Sequence, residues 1–134
     1  MKLSRASSYA LHALAFMAQQ KQNTKPMASH NIAAARSIPE RVLLKALKPL
    51  AAAHVLLSVR GPNGGYRLAR PAEKISMLEI IEAVDGPIRG QTPFNEETNK
   101  LVNHKLDAIC NKGADAIRSQ LEKVTLADLA SGKK

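Results

Sequence analysis

One cysteine, Cys110, stands in 134 residues. A lone thiol excludes an intrachain disulfide framework and suits a reducing compartment. Long apolar runs are missing as well: none approaches the ~18 residues that a membrane span needs. The first residues lack the apolar stretch and cleavage site of a secretory signal. A cytoplasmic protein without membrane association is expected. Catalytic groupings are also absent. The four histidines are scattered, no carboxylates pair in a motif and no glycine-rich phosphate loop occurs. Nothing meets the geometric demands of an active site, so no enzyme is expected.

The most informative shortage is of acids in the first half of the chain. Residues 1–74 hold twelve Lys and Arg against only Glu40 and Glu73, a net of +10, whereas 75–134 hold eight against nine acids, a net of −1. The total of +9 therefore sits wholly in the first half. Charge kept only for solubility would be spread more evenly. A basic half beside a neutral one is the footprint of a polyanion-binding module joined to something else. With 45% apolar residues, the chain can bury a modest core.

What is present is organised around residues 37–70. Leu43, Ala46, Leu47 and Leu50 recur three and four apart, the spacing of a helix buried on one side, and Arg41, Leu44, Lys45 and Lys48 fall on the opposite face. Ser37 and Glu40 have the spacing of a capping box, so the helix is expected to start near residue 38. Pro49 in its interior predicts a kink or break near Lys48. Two strands, 56–60 and 65–70, follow, joined by Gly61-Pro62-Asn63-Gly64. Asn63-Gly64 and Gly65 are expected to supply the positive φ of a tight hairpin turn. The alternation predicts an apolar face with Leu57, Val59, Tyr66 and Leu68, and a cationic tip and opposite face with Arg60, Arg67 and Arg70. Tyr66 is assigned to the core under the hairpin.

Ahead of this block, a helix from Ser4 to about Gln20 shows a broad apolar face with Ala6, Ala10, Leu14 and Met17. Lys2 and Arg5 lie at its start, where basic residues oppose the helix dipole and a phosphate partner would offset the cost. A helix from about Ala28 to Arg36 is small enough at Ile32, Ala33 and Ala35 to pack beneath the basic helix, as in a helix-turn-helix.

A helix-turn-helix followed by SVRGPNGGYRLAR resembles the winged helix-turn-helix of the Rrf2 family of bacterial transcription regulators. The likeness extends to MKLSRASSYALHALAFMA, ISMLEIIEAVDGPI and VTLADL, and so to nearly the whole chain. It implies a mainly α fold with a small β-hairpin. The implied division is a winged DNA-binding domain over 1–86 (helix-turn-helix 28–53, wing 55–70), a loop over 87–97, and a dimerisation helix with a tail over 98–134. Ser37 stands where such turns often have glycine, and His54 where the family usually has a helix-ending glycine. His54 is predicted to be a C-cap residue, with positive φ open to it.

A helix is narrow enough for the major groove of DNA. Arg41 and Lys45, one turn apart, can donate to guanine O6 and N7, and Leu44 between them suits thymine methyls. In the iron-sulfur branch of the family a glutamate aligns with Leu44, so a different operator is implied here. The resemblance puts Arg60 at the minor groove. Lys48, Asn63, Gly64, Gly65, Arg67 and Lys2 complete the expected DNA contacts, the glycines allowing close approach to phosphates.

Ser76 and Glu79 form a second capping box, opening a helix that Asp85-Gly86-Pro87 ends. Ile88 to Glu97 has no periodicity and reads as a loop. In the iron-sulfur members this region carries three cysteines, and here it has none. Cys110 is one thiol and His104 a lone imidazole on a helix, too few donors for a cluster, so no cofactor is expected. Cys110, near Lys112, is a candidate redox-sensing thiol. The preferred alternative is a small apolar residue buried in a helix seam. The last long helix, about 98–123, carries Val102, Leu106, Ile109, Gly113, Ala116 and Gln120 at spacings of four and three, widened by Ile117 and Leu121, the seam of a coiled coil. It is expected to pair with a second copy. A short capped helix from Thr125 to Ala130 and a disordered end over 131–134 follow.

The expected function is a homodimeric, sequence-specific regulator, a repressor, that binds double-stranded DNA at a pseudo-palindrome. Its effector, small-molecule or redox, is unidentified. The alternative is a non-specific or architectural nucleic-acid binder, which explains the charge but not a separate dimer helix.

Overall fold

The computed structural model describes residues 1–21, 24–90 and 100–132. Helix α1 (Arg5–Gln19) starts where Ser4 accepts the Ser7 amide, and it buries Ala10, Leu11, Ala13, Leu14 and Met17. An anion of the chain itself lies at the start of this helix. Ser4 and Ser7 hydroxyls donate to the Asp85 carboxylate at 2.7 and 2.6 Å. Asp85 closes helix α4 (Met77–Asp85), where an acid opposes its own helix dipole, but it lies at the positive end of α1, where it is favoured.

Helix α2 (Ser29–Arg36) ends at Ser37, which takes φ 54. The Ile38 amide reaches back to the Ala33 carbonyl (2.9 Å) and the Ser37 amide to Ala34 (3.4 Å), the paired closure that satisfies a helix end. Ser37 is therefore the stop of α2 and not the cap of the next helix. The Ser37–Glu40 capping box does not form: helix α3 (Glu40–Ala52) begins at Glu40 behind Pro39, without a side-chain cap. Nor does Pro49 break α3, which runs on to Ala52. Three residues from the end, a missing amide costs one hydrogen bond that the flanking turns tolerate. The predicted stripe of Leu43, Ala46, Leu47 and Leu50 is buried. His54 has φ 60, and the Val55 amide bonds the Leu50 carbonyl at 3.0 Å, repeating the closure seen at Ser37.

Strands β1 (Leu56–Val59) and β2 (Gly65–Leu68) form an antiparallel hairpin. Its register pairs Leu56 with Leu68 and Ser58 with Tyr66 on the inner face, and Leu57 with Arg67 and Val59 with Gly65 on the outer. The expected apolar face is thus one residue out in β1: Leu57 and Val59 are each 37% exposed, while Leu56 is fully buried. Tyr66 packs on the core. The other edge of β2 is taken by Met27, whose amide and carbonyl both bond Tyr66, at 2.8 and 2.9 Å.

A 3-10 turn (Ala72–Lys74) leads into α4, whose Ser76–Glu79 capping box is present. Gly86 ends α4, and residues 88–90 are irregular; the rest of the expected loop, 91–97, lies outside the described residues. Helix α5 (Lys100–Glu122) has 23 residues, about 34 Å at 1.5 Å per residue. Its second half returns to the fold through an Arg118–Glu82 ion pair and Leu121. Helix α6 (Leu126–Ala130) opens on a Thr125–Asp128 capping box, and the Ser131 amide closes it on the Ala127 carbonyl (3.0 Å), so Ser131 is ordered rather than part of a disordered end; 133–134 lie outside the described residues. The core joins α1, α2, α3, the hairpin, α4 and α6 around Leu14, Ile32, Leu43, Leu47, Ile75, Ile80 and Leu126. Among the described residues no helix is long and apolar enough to cross a membrane.

Candidate nucleic-acid interface

The turn per residue that buries Leu43 and Leu47 points Arg41, Lys45 and Lys48 outward, and all three are exposed. Among the described residues none of them forms an ion pair. Leu44, expected in the open between Arg41 and Lys45, is half-buried. Glu40 accepts the Ser29 hydroxyl at 2.9 Å, tying the starts of α2 and α3 together and placing a negative charge at the positive end of α3.

At the wing, the Gly64 amide bonds the Gly61 carbonyl at 3.0 Å across Pro62-Asn63, and Arg60 and Asn63 are exposed at the tip. The positive φ values fall on Gly61 and Gly65, not on Asn63 or Gly64. A Cβ on Gly65 would lie 2.2 Å from the Met27 carbonyl oxygen, and one on Gly64 equally close to that of Val59. Gly64 thus accommodates a close contact inside the hairpin, and Gly65 one with the Met27 backbone beside it. Arg67 is half-buried at the wing base, where, among the described residues, its guanidinium makes one long hydrogen bond, 3.4 Å, to the Leu68 carbonyl.

Arg70 is committed elsewhere. It pairs with Glu79 at 2.5 Å and donates to the Lys74 carbonyl at 2.9 Å, fixing the wing base to α4. The hydrogen bond from Arg70 holds Glu79 below the usual carboxylate range, and the same bond raises Arg70. Lys2 is exposed before α1. A residue the sequence reading passed over is Lys25, exposed two positions before Met27 and so carried beside the wing by the Met27–Tyr66 pairing. A single bridging pair leaves no periodicity in a sequence.

Helix α5 shows a second surface. Leu101 and Ile109 are 69% and 66% exposed, with Val102 and Leu106 exposed beside them. Gly113, Ala116 and Gln120 continue the open face, while Ile117 and Leu121 are half-buried. Cys110 is exposed on this single chain, as are its neighbours Ile109 and Asn111. Ala114 is the one buried residue of α5.

A family model described as Rrf2, iron-dependent transcriptional regulator, matches residues 3–132. The chain belongs to the Rrf2 family. It is accordingly a DNA-binding, helix-turn-helix transcriptional regulator, and Rrf2 proteins are regulators rather than enzymes. A Mycobacterium tuberculosis protein that bears the name of an HTH-type transcriptional regulator, Rv1287, is 32% identical over 139 residues, 98% of this chain and 83% of that one. The Rrf2 protein NsrR of Bacillus licheniformis is 30% identical over 135 residues, 96% of this chain and 92% of its own. The structure of CymR, the global cysteine regulator of B. subtilis, superposes with a TM-score of 0.75 at 28% identity, covering 100% of this chain and 99% of that one.

The family description names iron. An iron-sulfur cluster needs several converging thiolates or imidazoles, and this Rrf2 chain has one cysteine in its whole sequence. His104 and Cys110 are both exposed, six residues apart on α5, and among the described residues no three His, Cys, Asp or Glu side chains converge. The residues present do not fit a cluster.

Proposed function

We propose that two copies of this chain form a cytoplasmic repressor that reads a pseudo-palindromic operator. The reading unit is residues 1–86, with α6 lending Leu126 to its core; residues 98–134 carry the dimerisation arm beyond the 87–97 loop. The observation that carries the reading is the cationic face of α3, exposed and, among the described residues, without an ion pair, together with the exposed Arg60 and Asn63 of the wing tip. Arg41 and Lys45 donate to base edges in the major groove, Leu44 contacts thymine methyls, and Lys48, Arg60, Asn63, Arg67 and Lys2 hold phosphates. Val102, Leu106, Ile109, Gly113 and Ala116 face the second copy, with Ile117, Gln120 and Leu121 at the margin. A twofold pair places the two α3 helices in successive major grooves.

In-vitro selection of bound duplexes tests this directly. A palindromic site should emerge and survive competition by excess random DNA, which a non-specific architectural binder would not. On that site Arg41→Ala should cost ~1–3 kcal/mol and relax base preference, whereas Lys48→Ala should mainly flatten the salt dependence. Equal losses for Arg41→Ala on the selected site and on random DNA would sink the assignment. Oxidising the protein and repeating the binding tests Cys110 as a sensor.

A further inference from the structure

We propose that the cleft at the base of the wing binds a small organic anion with a compact apolar body, and that this ligand acts on DNA binding through Arg67. The second clause rests on the DNA-binding reading; the first does not.

The cleft lies between the end of β2, the 3-10 turn, the end of α1 and α6, and encloses about 580 Å³. That is the size of a small-molecule site. Its lining is mixed: Ala18 from α1, Ala69 and Ala72 from the strand and turn, and Ala127 and Ala130 from α6 supply small apolar side chains that leave it open, while Thr24, Glu73, Ser131 and two arginines supply polar surface. Leucine-sized side chains at these positions would fill it. Beside these alanines stands Arg67, half-buried and, among the described residues, without a carboxylate partner. Arg70, also in the lining, is neutralised by Glu79.

A lone guanidinium presents a fork of donors that fits a carboxylate or a phosphate bidentately. The alanine methyls supply contact for a short aliphatic body. Glu73 at the edge repels a second negative group, which favours a monoanion over a multiply charged one. A carboxylate with a short alkyl chain has this chemistry.

The coupling follows from where Arg67 sits. It is in β2 two residues beyond Gly65, and its neighbour Tyr66 holds Met27. A bound anion neutralises one cation of the wing that a DNA phosphate would otherwise engage. Ligand therefore weakens DNA binding, and by linkage DNA weakens the ligand by the same factor.

The test uses the full chain labelled with nitrogen-15, with butyrate as probe and inorganic phosphate and butylammonium as comparators. Butyrate should give saturable amide shifts at Ala69, Ala72 and Ala130, phosphate should bind more weakly and butylammonium not at all. Arg67→Gln, whose fold is checked by its amide spectrum away from the cleft, should weaken butyrate at least roughly tenfold, and so should Ala130→Phe, which fills the space. Saturating butyrate should lower affinity for a selected duplex about fivefold or more. The site is overturned by the absence of saturable shifts, by phosphate binding as tightly as butyrate, or by shifts that persist in Arg67→Gln. Butyrate binding with unchanged DNA affinity overturns the coupling. A chain that binds no DNA without butyrate would overturn the DNA reading and leave the cleft to be judged on the shifts alone.

Discussion

Helices α3 and α5 carry apolar stripes of the same spacing and opposite fates. In α3, Leu43, Ala46, Leu47 and Leu50 are sealed by α1, α2 and the hairpin, and the cationic face is left outside. In α5 the residues left outside are the apolar ones, and the first half of the helix runs past its own core. Periodicity says which residues share a face. What covers that face depends on chain elsewhere, in this molecule or in another copy.

The sharpest way to separate the two is to truncate one residue in each. Leu47→Ala should cost ~2–5 kcal/mol in denaturant unfolding followed by circular dichroism, because Leu47 has no exposure to lose and leaves a cavity. Ile109→Ala, measured where the chain is monomeric, should change that value by less than ~0.5 kcal/mol. A comparable loss at both positions would break the contrast. Next in size is Asp85→Ala, which strands the buried Ser7 hydroxyl and removes the anion at the start of α1. It should cost ~1–3 kcal/mol by thermal unfolding.

A smaller effect has the opposite sign. Ser37→Gly relieves a side chain held at φ 54 and should stabilise the reading unit by ~0.5–1 kcal/mol, seen as a higher denaturant midpoint. The smallest concerns pH. Arg70 lowers the folded-state pKa of Glu79, so the pair's contribution is present above the ordinary carboxylate value of 4.5 and fades as pH falls through the lowered value. Both side chains are about a third exposed, 36% and 34%, so only ~0.2–1 kcal/mol is at stake. Glu79→Gln should remove that much of the acid dependence in unfolding curves compared below and above that window.

The same contrast explains what could be read from the sequence. The α3 stripe, the Ser4 cap, the Ser76–Glu79 box and the left-handed His54 are local matters, settled by residues a few positions apart, and they were legible. The Ser37–Glu40 box was misread because two local motifs compete for one serine, and closing α2 on Ile38 took precedence while Glu40 turned to Ser29. The face of β1 was misread because Leu56, Leu57 and Val59 put apolar residues on both sides of a four-residue strand. At the candidate site the α3 cations and wing tip came from pattern and resemblance. The half-buried Leu44, the cleft around Arg67 and the position of Lys25 depend on partners distant in the chain, about which spacing is silent.

The double hydrogen bond between Met27 and Tyr66 is a one-residue bridge that ties the outer edge of β2 to the lead into α2. It restrains the hairpin from a side that the β1–β2 ladder does not reach. On the proposed reading, a wing restrained in this way leaves more of the adjustment to grooves of unequal width to the DNA, and stiff sequences between the two proposed contacts should be disfavoured without being touched.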